Sequence, residues 1–459
     1  KELTMPTTVI RGGTAVIGHT VTQQDILIDG ETIRAIGQLA DYPADQVVDA
    51  SGLLVLPGGV DTHVHFNDVF MNTISVHDYY TGTLAAAFGG TTSVIDFSNQ
   101  EKGATLMSTL EAKHNEAAGK ALIDWGVHPT ITDPTDRTIG EIREVVAAGS
   151  PTIKCYMTYR AEGLLMEEPD LRRILAALRD AGGMLLVHAE DNDLAEAGIA
   201  RCLDNGLTSS VYHARSKPQL VEDTAVRNCI NMVRDVGGRL FIVHMTTPGG
   251  VEMIAQARAE GIDVIGETCT HYLFFTEAVL EEPDALKWIC SPPLRDEAAQ
   301  AALWRGLKDG RLSQVTSDDA AYSWEAKLYG KDRFDLCPNG LPGIEPRFHL
   351  LYSAGVAQGR ISLPRFVDLV ATNPARTFGM AQKGALLPGL DADIVLLDPT
   401  ATWTLGAANS HMSTDWVAYE GMEMVGRIQK VFSRGELIID GDRCLAEKGR
   451  GRYIHRQLP

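Results

Sequence analysis

Two histidines separated by one residue end the segment Pro57-Gly-Gly-Val-Asp-Thr-His-Val-His65. The apolar run before it, Leu53 to Leu56, predicts a short buried strand that stops at Pro57. Side chains alternate along extended backbone, so His63 and His65 project to the same side and could share one metal ion. Asp61 has the same parity, and we expect it to orient a ligand from behind. In a chain with 13 histidines, such a pair is weak evidence until other strand ends supply partners.

Four further side chains with useful chemistry lie at the ends of apolar, β-rich runs: Lys154, His188, His244 and Asp318. Each has a structural explanation when taken alone. A histidine there is more often a hydrogen-bonded core residue, a lysine pairs with a buried acid, and an aspartate caps a turn. A dry cluster of all six costs several kcal/mol unless it is compensated, so packing explains the set poorly. Together they indicate a metal site.

Lys154 differs from the other members because a protonated amine cannot ligate a cation. Carboxylation by carbon dioxide would convert it to a carbamate, whose two oxygens could bridge two metal ions. His63, His65 and Asp318 would then hold one ion, and His188 and His244 the other. Such ligands suit zinc, with manganese or cobalt as substitutes. Two ions this close can hold a bridging hydroxide and polarise a carbonyl.

The elements that must position these residues are predicted as eight strands, each followed by a helix or a long loop. Helical stretches between them include 106–118, 168–181 and 250–260. Eight β/α units in this length predict a parallel (β/α)8 barrel, whose strands converge at their carboxyl ends. A doubly wound open sheet is the alternative, but it would need a glycine-rich phosphate loop after its first strand, and the sequence has none there. The predicted strands are 53–56, 91–97, 121–128, 152–157, 184–189, 239–244, 263–267 and 313–318.

Both ends of the chain have short β-rich pieces separated by glycine turns, without a helix of useful length in the first 52 residues. We therefore expect one small β-sandwich built from both chain ends. Residues 5–55 and 385–459 would form it, and residues 56–384 would form the metal-dependent barrel. Met5 is taken as the natural start, and residues 1–4 are left out of this prediction.

Composition narrows the class of protein. Acidic residues outnumber basic ones by 60 to 41, and the formal net charge of -19 argues against nucleic acid or an anionic membrane as partner. The seven scattered cysteines fit a reducing compartment and use as small apolar residues. No signal sequence opens the chain and no apolar run reaches transmembrane length. These features predict a cytoplasmic protein.

Over essentially its whole length the chain resembles the amidohydrolase superfamily, and within it the dihydropyrimidinase and hydantoinase group. This resemblance implies the carboxylated lysine and the binuclear zinc site. It also implies that Tyr159 hydrogen-bonds the oxyanion, and that Ser291 and Asn339 hold the cyclic amide through backbone groups. The stretches that carry it, besides 57–65, begin at Asp78 (DYYTGTLAAA), Gly89 (GGTTSVIDF), Lys154 (KCYMTY), Val187 (VHAE), Gly266 (GETC), Cys290 (CSPPLR) and Asn339 (NGLPGIE).

Three departures from the group's pattern concern the substrate pocket. Asp319 stands where the group usually has histidine, which predicts a more acidic pocket floor. The loop Phe66-Asn-Asp-Val-Phe-Met71 differs from the usual one, so its aromatic and apolar members Phe66, Phe70 and Met71 could favour a neutral or apolar substituent. Asn67 stands where dihydroorotases carry arginine, which argues against a carboxylate substrate.

The leading hypothesis is a cyclic amidase that opens a dihydropyrimidine or hydantoin ring to the N-carbamoyl amino acid. Allantoin or another cyclic imide is an alternative substrate for the same site. A non-catalytic scaffold and a mononuclear deaminase are alternatives of other kinds, disfavoured by the intact ligand positions and by Lys154 respectively. In that catalysis Asp318 would also shuttle the proton. The resemblance further predicts a homo-oligomer, a tetramer, and the tail 449–459 has no obvious core to join within one chain.

Overall fold

The computed structural model describes residues 6–459, so the predicted start at Met5 lies outside the described part. Strands and helices alternate from residue 59 onwards, whereas the preceding residues form strands only. The strands are β1 Thr8–Arg11, β2 Thr14–Ile17, β3 Thr20–Gln23, β4 Asp25–Asp29, β5 Thr32–Gly37, β6 Gln46–Asp49, β7 Leu54–Pro57, β8 Gly59–Val64, β9 Val69–Phe70, β10 Thr73–Ile74, β11 Thr91–Asn99, β12 Asp124–Thr130, β13 Thr152–Tyr156, β14 Met184–His188, β15 Arg239–Ile242, β16 Val264–Cys269, β17 Gln314–Thr316, β18 Ile394–Thr404, β19 Glu423–Ser433, β20 Glu436–Asp440 and β21 Arg443–Cys444.

A parallel barrel forms the centre of the molecule. Its eight strands follow the order β17, β16, β15, β14, β13, β12, β11 and β8. A parallel bridge between Val64 and Asp319 brings the last unit back to the first. Most of these strands are buried along their whole length, as expected when helices cover the sheet. The prediction of a (β/α)8 barrel is confirmed.

The first predicted barrel strand was placed too early in the sequence. Leu54–Pro57 pairs with β18 and β2 in a different sheet, and the first barrel strand is β8, Gly59–Val64. Both segments are apolar and buried, so hydrophobicity alone could not separate them. The correction moves His63 into the barrel strand itself and leaves His65 just beyond its end.

The helices cover the barrel by burying one apolar stripe each. In α5, Leu171, Ile174, Leu175 and Leu178 face inwards, and Gly182 ends the helix in the left-handed conformation. The helices are α1 Tyr79–Phe88, α2 Leu106–Ala117, α3 Asp136–Gly140, α4 Ile142–Ala147, α5 Glu168–Ala181, α6 Asn192–Asp204, α7 Val211–Ser216, α8 Gln219–Val236, α9 Pro248–Ala259, α10 Thr270–Phe274, α11 Glu297–Asp309, α12 Trp324–Lys327, α13 Pro346–Leu351, α14 Leu363–Val367 and α15 Asn373–Thr377.

Strands from the two chain ends meet in one sheet of seven strands, ordered β21, β20, β19, β18, β7, β2 and β3. A second sheet, ordered β5, β4, β1 and β6, lies against it. Side chains of both sheets share an apolar core that includes Ile10, Ile28, Val55, Ile394 and Phe432. This is the sandwich expected from the two β-rich ends. The exact division at residues 56 and 385 stays a prediction.

The tail was expected to lack a core of its own to join, and this was wrong. Arg456 is fully buried and donates to the carbonyl of Val127 on β12, while Tyr453 bridges to Trp125. Ile454 and Leu458 pack against an apolar cluster of the barrel. The tail therefore gives no support to an oligomer. Within residues 6–459, no helix has the length and apolar character needed to span a bilayer.

Candidate active site

A cavity opens at the carboxyl ends of the barrel strands. The six predicted metal ligands line it, and so do Tyr159, Ser291 and Asn339. This face collects the ends of all eight strands, which is where barrel enzymes carry their chemistry. The residues come from six separate segments of the chain, His63 and His65, Lys154 with Tyr159, His188, His244, Ser291, and Asp318 with Asn339.

The histidines and Asp318 lie close enough to surround metal ions. Asp318 Oδ1 lies 3.0 Å from His63 Nε2 and 3.3 Å from His65 Nε2. Ligand atoms of His63, His244 and Asp318 all lie within 4.8 Å of one another. The rings of His188 and His244 have centroids 4.4 Å apart. Buried imidazoles and a carboxylate at such separations are a donor set that suits zinc.

Carboxylates hold the outer nitrogens of three of these histidines. His63 Nδ1 lies 2.6 Å from Glu267 Oε1, His65 Nδ1 lies 2.9 Å from Asp68 Oδ2, and His188 Nε2 lies 2.7 Å from Glu190 Oε2. A partner of this kind fixes the tautomer and turns the other ring nitrogen towards the metal. Sequence reasoning missed all three partners.

The predicted partner, Asp61, has another role. Its Oδ1 accepts from the backbone of His63 and Ser317, and its Oδ2 lies 3.2 Å from Arg347 Nε. It thus supports the strand backbone and not an imidazole ring. A signal for Glu190 existed in its position two residues after His188, the same parity on extended chain.

Charge is strongly coupled across this site. Burial opposes the charged form of His65, but Asp318 and Asp68 raise its pKa to about 9. Burial also opposes the charge on Asp318, yet His63 and His65 hold its pKa well below its usual value. Asp318 is therefore ionised at neutral pH, the state in which a carboxylate ligates a metal.

Lys154 is buried without a counter-ion. Its side chain is 1% exposed, and Nζ lies 4.9 Å from the ring centre of Phe97 and 4.8 Å from that of Tyr156. No hydrogen bond or ion pair of Nζ occurs among residues 6–459. Burial lowers the pKa of Lys154 to about 8. A share of the neutral amine, the form that reacts with carbon dioxide, is thus present near neutral pH.

Strained backbone is concentrated here. Tyr159, His244 and Asp318 have φ angles of 66°, 40° and 48°, in the left-handed region that side chains with a Cβ rarely adopt. Each lies just beyond a barrel strand, where the chain turns sharply enough to aim the side chain into the cavity. Residues in such conformations persist only when their surroundings hold them, and they cluster at functional sites.

Polar groups on the substrate side form a second network. Asn339 Nδ2 donates to Tyr159 Oη over 3.2 Å. The ammonium of Lys217 donates to Ser291 Oγ and lies 3.8 Å from Glu190 Oε1, so it links a predicted substrate contact to the partner of His188. Burial raises the pKa of Tyr159 well above its usual value, which keeps its hydroxyl protonated as a donor.

Two residues predicted for substrate contact lie elsewhere. Phe66 is fully buried, and its ring packs edge-on against Tyr79 at 5.5 Å. Neither Phe66 nor Met71 lines the cavity; from this loop Asp68 and Phe70 do. The ring of Phe70 stacks edge-on against Tyr159 at 4.9 Å. The error arose because the loop forms the small hairpin of β9 and β10, so its side chains do not all face inwards.

Asp319 does not form the pocket floor, contrary to the prediction. Its side chain is fully buried and accepts from the backbone of Gly343 and Ile344, and Oδ2 lies 2.7 Å from His77 Nδ1. It anchors the loop that carries Asn339 and adds no charge to the cavity surface.

The sequence matches the model of the Amidohydrolase family over residues 54–438. This chain belongs to the amidohydrolase family. A "D-hydantoinase" of Geobacillus stearothermophilus is 37% identical over 98% of this amidohydrolase and 96% of its own length. A "D-phenylhydantoinase" of Escherichia coli is also 37% identical, over 98% of each chain.

Solved structures agree with these sequences. The crystal structure of a dihydropyrimidinase from Brevibacillus agri superposes on this amidohydrolase with a TM-score of 0.96, at 38% identity and 99% coverage of both chains. The resemblance to the dihydropyrimidinase and hydantoinase group is thereby confirmed.

Proposed function

We propose that this amidohydrolase opens the ring of a dihydropyrimidine or a hydantoin, hydrolysing one cyclic amide bond to give the N-carbamoyl amino acid. The observation that carries the proposal is the convergence of six ligand-type side chains and the pair Tyr159–Asn339 on one cavity. The matched family and the names of the relatives confirm the reaction class, cyclic amide hydrolysis.

The proposed cofactor is a pair of divalent ions, zinc with manganese or cobalt as alternatives. His63, His65 and Asp318 would hold one ion, His188 and His244 the other, and carboxylated Lys154 would bridge them. The unpartnered, buried Nδ1 of His244 and the unpaired ammonium of Lys154 support this donor set. When bound, the ions would supply a hydroxide nucleophile and polarise the ring carbonyl.

The chain's own groups would do the rest. Ser291 and Asn339 would hold the cyclic amide through backbone groups, and the Tyr159 hydroxyl would donate to the oxyanion as charge develops. Asp318 would accept a proton during attack and pass it to the leaving nitrogen, which is a poor leaving group until it is protonated.

A metal analysis and a substrate panel test the proposal. We expect about two metal ions per chain, the number of a two-metal site, and activity on dihydrouracil, hydantoin or a substituted hydantoin. Activity confined to allantoin or cyclic imides would favour the alternative substrate class for the same site. One ion per chain would favour a mononuclear deaminase, and no metal with no activity a scaffold.

Lys154 provides the sharpest check on the cofactor. Lys154→Ala should lose both metal and activity, and short carboxylic acids should restore part of each by replacing the carbamate. The mass of the intact native protein should show carbon dioxide on Lys154. An unmodified lysine in a fully metallated, active preparation would contradict the bridge.

The homotetramer and the cytoplasmic location stay predictions from the resemblance and the composition. Sedimentation across micromolar concentrations tests the first, since only monomer throughout would reject it.

A further inference from the structure

Two side chains beside the metal-facing residues present hydrogen-bond acceptors to the cavity. Asp68 follows β8 by four residues, and Asn99 ends β11; both line the cavity. Asn99 Nδ2 donates to Asp68 Oδ1 over 2.8 Å. Neither residue belongs to the predicted ligand set or to the predicted substrate contacts.

The direction of that hydrogen bond decides what the pair offers a ligand. An ionised carboxylate can only accept, so the amide nitrogen of Asn99 must face Asp68. The amide oxygen is then turned away, and Asn99 Oδ1 is buried without a hydrogen-bond partner in the described chain. Asp68 Oδ2 accepts from His65 over 2.9 Å and keeps a free lone pair. The pair thus presents acceptor atoms to the cavity while its single donor direction is already used.

The position of the carboxylate is well fixed. The backbone N–H of Asp68 donates to Ser75 Oγ over 2.9 Å, and the N–H of Ser75 returns a bond to the carbonyl of Asp68. Burial raises the pKa of Tyr156 and Tyr322, which also line the cavity, and the charge of Asp68 raises both further. The negative charge of Asp68 therefore acts on the interior of the cavity.

We infer that Asp68 and Asn99 select a ring whose substituent carries N–H donors, such as a ureido or amino group. This rests on the proposed function, since it names the substrate class of the same site. A buried acceptor that meets an alkyl group is left unpaired, and a carboxylate substituent would meet like charge at Asp68. The expectation of a neutral, purely apolar substituent came from Phe66 and Met71, which do not line the cavity.

Three hydantoins test the inference because their substituents have the same branching and number of non-hydrogen atoms. They are 5-ureidohydantoin, 5-isobutylhydantoin and 5-(carboxymethyl)hydantoin, with unsubstituted hydantoin and dihydrouracil as reference substrates. We expect kcat/KM for the ureido compound to exceed that for the isobutyl compound by roughly tenfold or more, since a site built for a donor rejects the analogue lacking it. The carboxymethyl compound should be the slowest.

Variants at Asn99 attribute this preference to the pair. Asn99→Leu keeps the approximate volume and removes the acceptor, so the ureido-to-isobutyl ratio should fall by roughly tenfold. Asp68→Asn should lower the same ratio. Because both substrates are measured on one preparation, a lower fraction of folded or metallated enzyme cancels. Exposed Asn231 on α8 lines no part of this cavity, and Asn231→Leu should leave the ratio unchanged.

The outcomes separate the inference from the proposed function. If the wild type opens hydantoin or dihydrouracil but prefers the isobutyl compound, the inference is overturned and the proposed function stands. The same holds if Asn99→Leu leaves the ratio unchanged. If the metallated wild type opens none of the five rings, the proposed function fails.

Discussion

Glu267 holds the ring of His63 across 204 residues of sequence, with Oε1 2.6 Å from Nδ1 and both side chains 1% exposed. The carboxylate accepts from Nδ1–H, which leaves the lone pair of Nε2 towards Asp318. Burial opposes charge on His63, yet Asp318 and Glu267 raise its pKa above the usual value. The first metal ligand is therefore oriented by a residue from the opposite side of the barrel.

Glu267→Gln should weaken metal binding roughly 10–100-fold, the usual cost of losing such a partner. A neutral amide accepts from His63 more weakly, and its NH2 group competes for the place now used by Gln314 Nε2, which donates to Glu267 Oε2 over 3.1 Å. Competition with a chelator measures the affinity for zinc. Glu252→Gln, on the exposed side of α9, is the matched control. Equal zinc affinities for the two variants would contradict the orienting role.

Asp318→Asn should lower turnover by two or more powers of ten while metal is largely retained. The amide can still ligate through its oxygen but cannot carry a proton to the leaving nitrogen, and a lost general acid–base costs roughly this much. Single-turnover kinetics with metal analysis of the same sample checks it. Near-normal turnover on a substrate whose chemical step is rate-limiting would assign the proton to another group. Asp319 is a poor substitute because its carboxylate faces Gly343, Ile344 and His77.

Tyr159→Phe should reduce kcat by roughly a hundredfold or more with unchanged metal content, as loss of one oxyanion donor does. The substitution removes the hydroxyl and leaves Asn339 Nδ2 without its acceptor. A KM that changes much less than kcat would mark an interaction made chiefly in the transition state. If KM rises and kcat is preserved, Tyr159 serves ground-state binding instead.

His128 should make the fold sensitive to acid. Its Nε2 donates to the carbonyl of Thr62 and its Nδ1 accepts from the Thr152 hydroxyl, so the buried ring is neutral. Burial, and then the charge of Arg456, lowers its pKa well below the usual 6.5. Below about pH 6.5 the unfolded state therefore binds a proton that the folded state refuses, and the free energy of unfolding falls by about 1.4 kcal/mol per pH unit.

His128→Gln keeps one donor and one acceptor without the titration. The slope of its unfolding free energy against pH should be smaller by about 1.4 kcal/mol per unit below pH 6.5. Urea unfolding of chelator-treated protein measures this without the separate effect of metal loss. Exposed His19→Gln is the control. Parallel slopes for wild type and His128→Gln would show that this ring does not govern acid stability.

Sequence by itself determined the barrel and the identity of its chemical groups. The spacing of apolar runs and helices predicted the β/α alternation, because burial imposes a period that is visible residue by residue. A (β/α)8 barrel brings strand ends together, so His188, His244, Lys154 and Asp318 could be assigned to one face without coordinates. Motifs around Tyr159, Ser291 and Asn339 indicated the family, and the comparisons confirmed it.

Only the tertiary structure decided which partner each of these groups meets. Leu54–Pro57 and Gly59–Val64 are equally apolar, and hydrogen bonding to β18 or to β11 is what separates them. Glu267 reaches His63, and Asn99 reaches Asp68, through pairings between strands that no local pattern records. Asp319 and Phe66 face away from the cavity because the loops that carry them turn there. Side-chain direction in a loop depends on contacts with distant residues, whereas periodicity reports only burial along the chain.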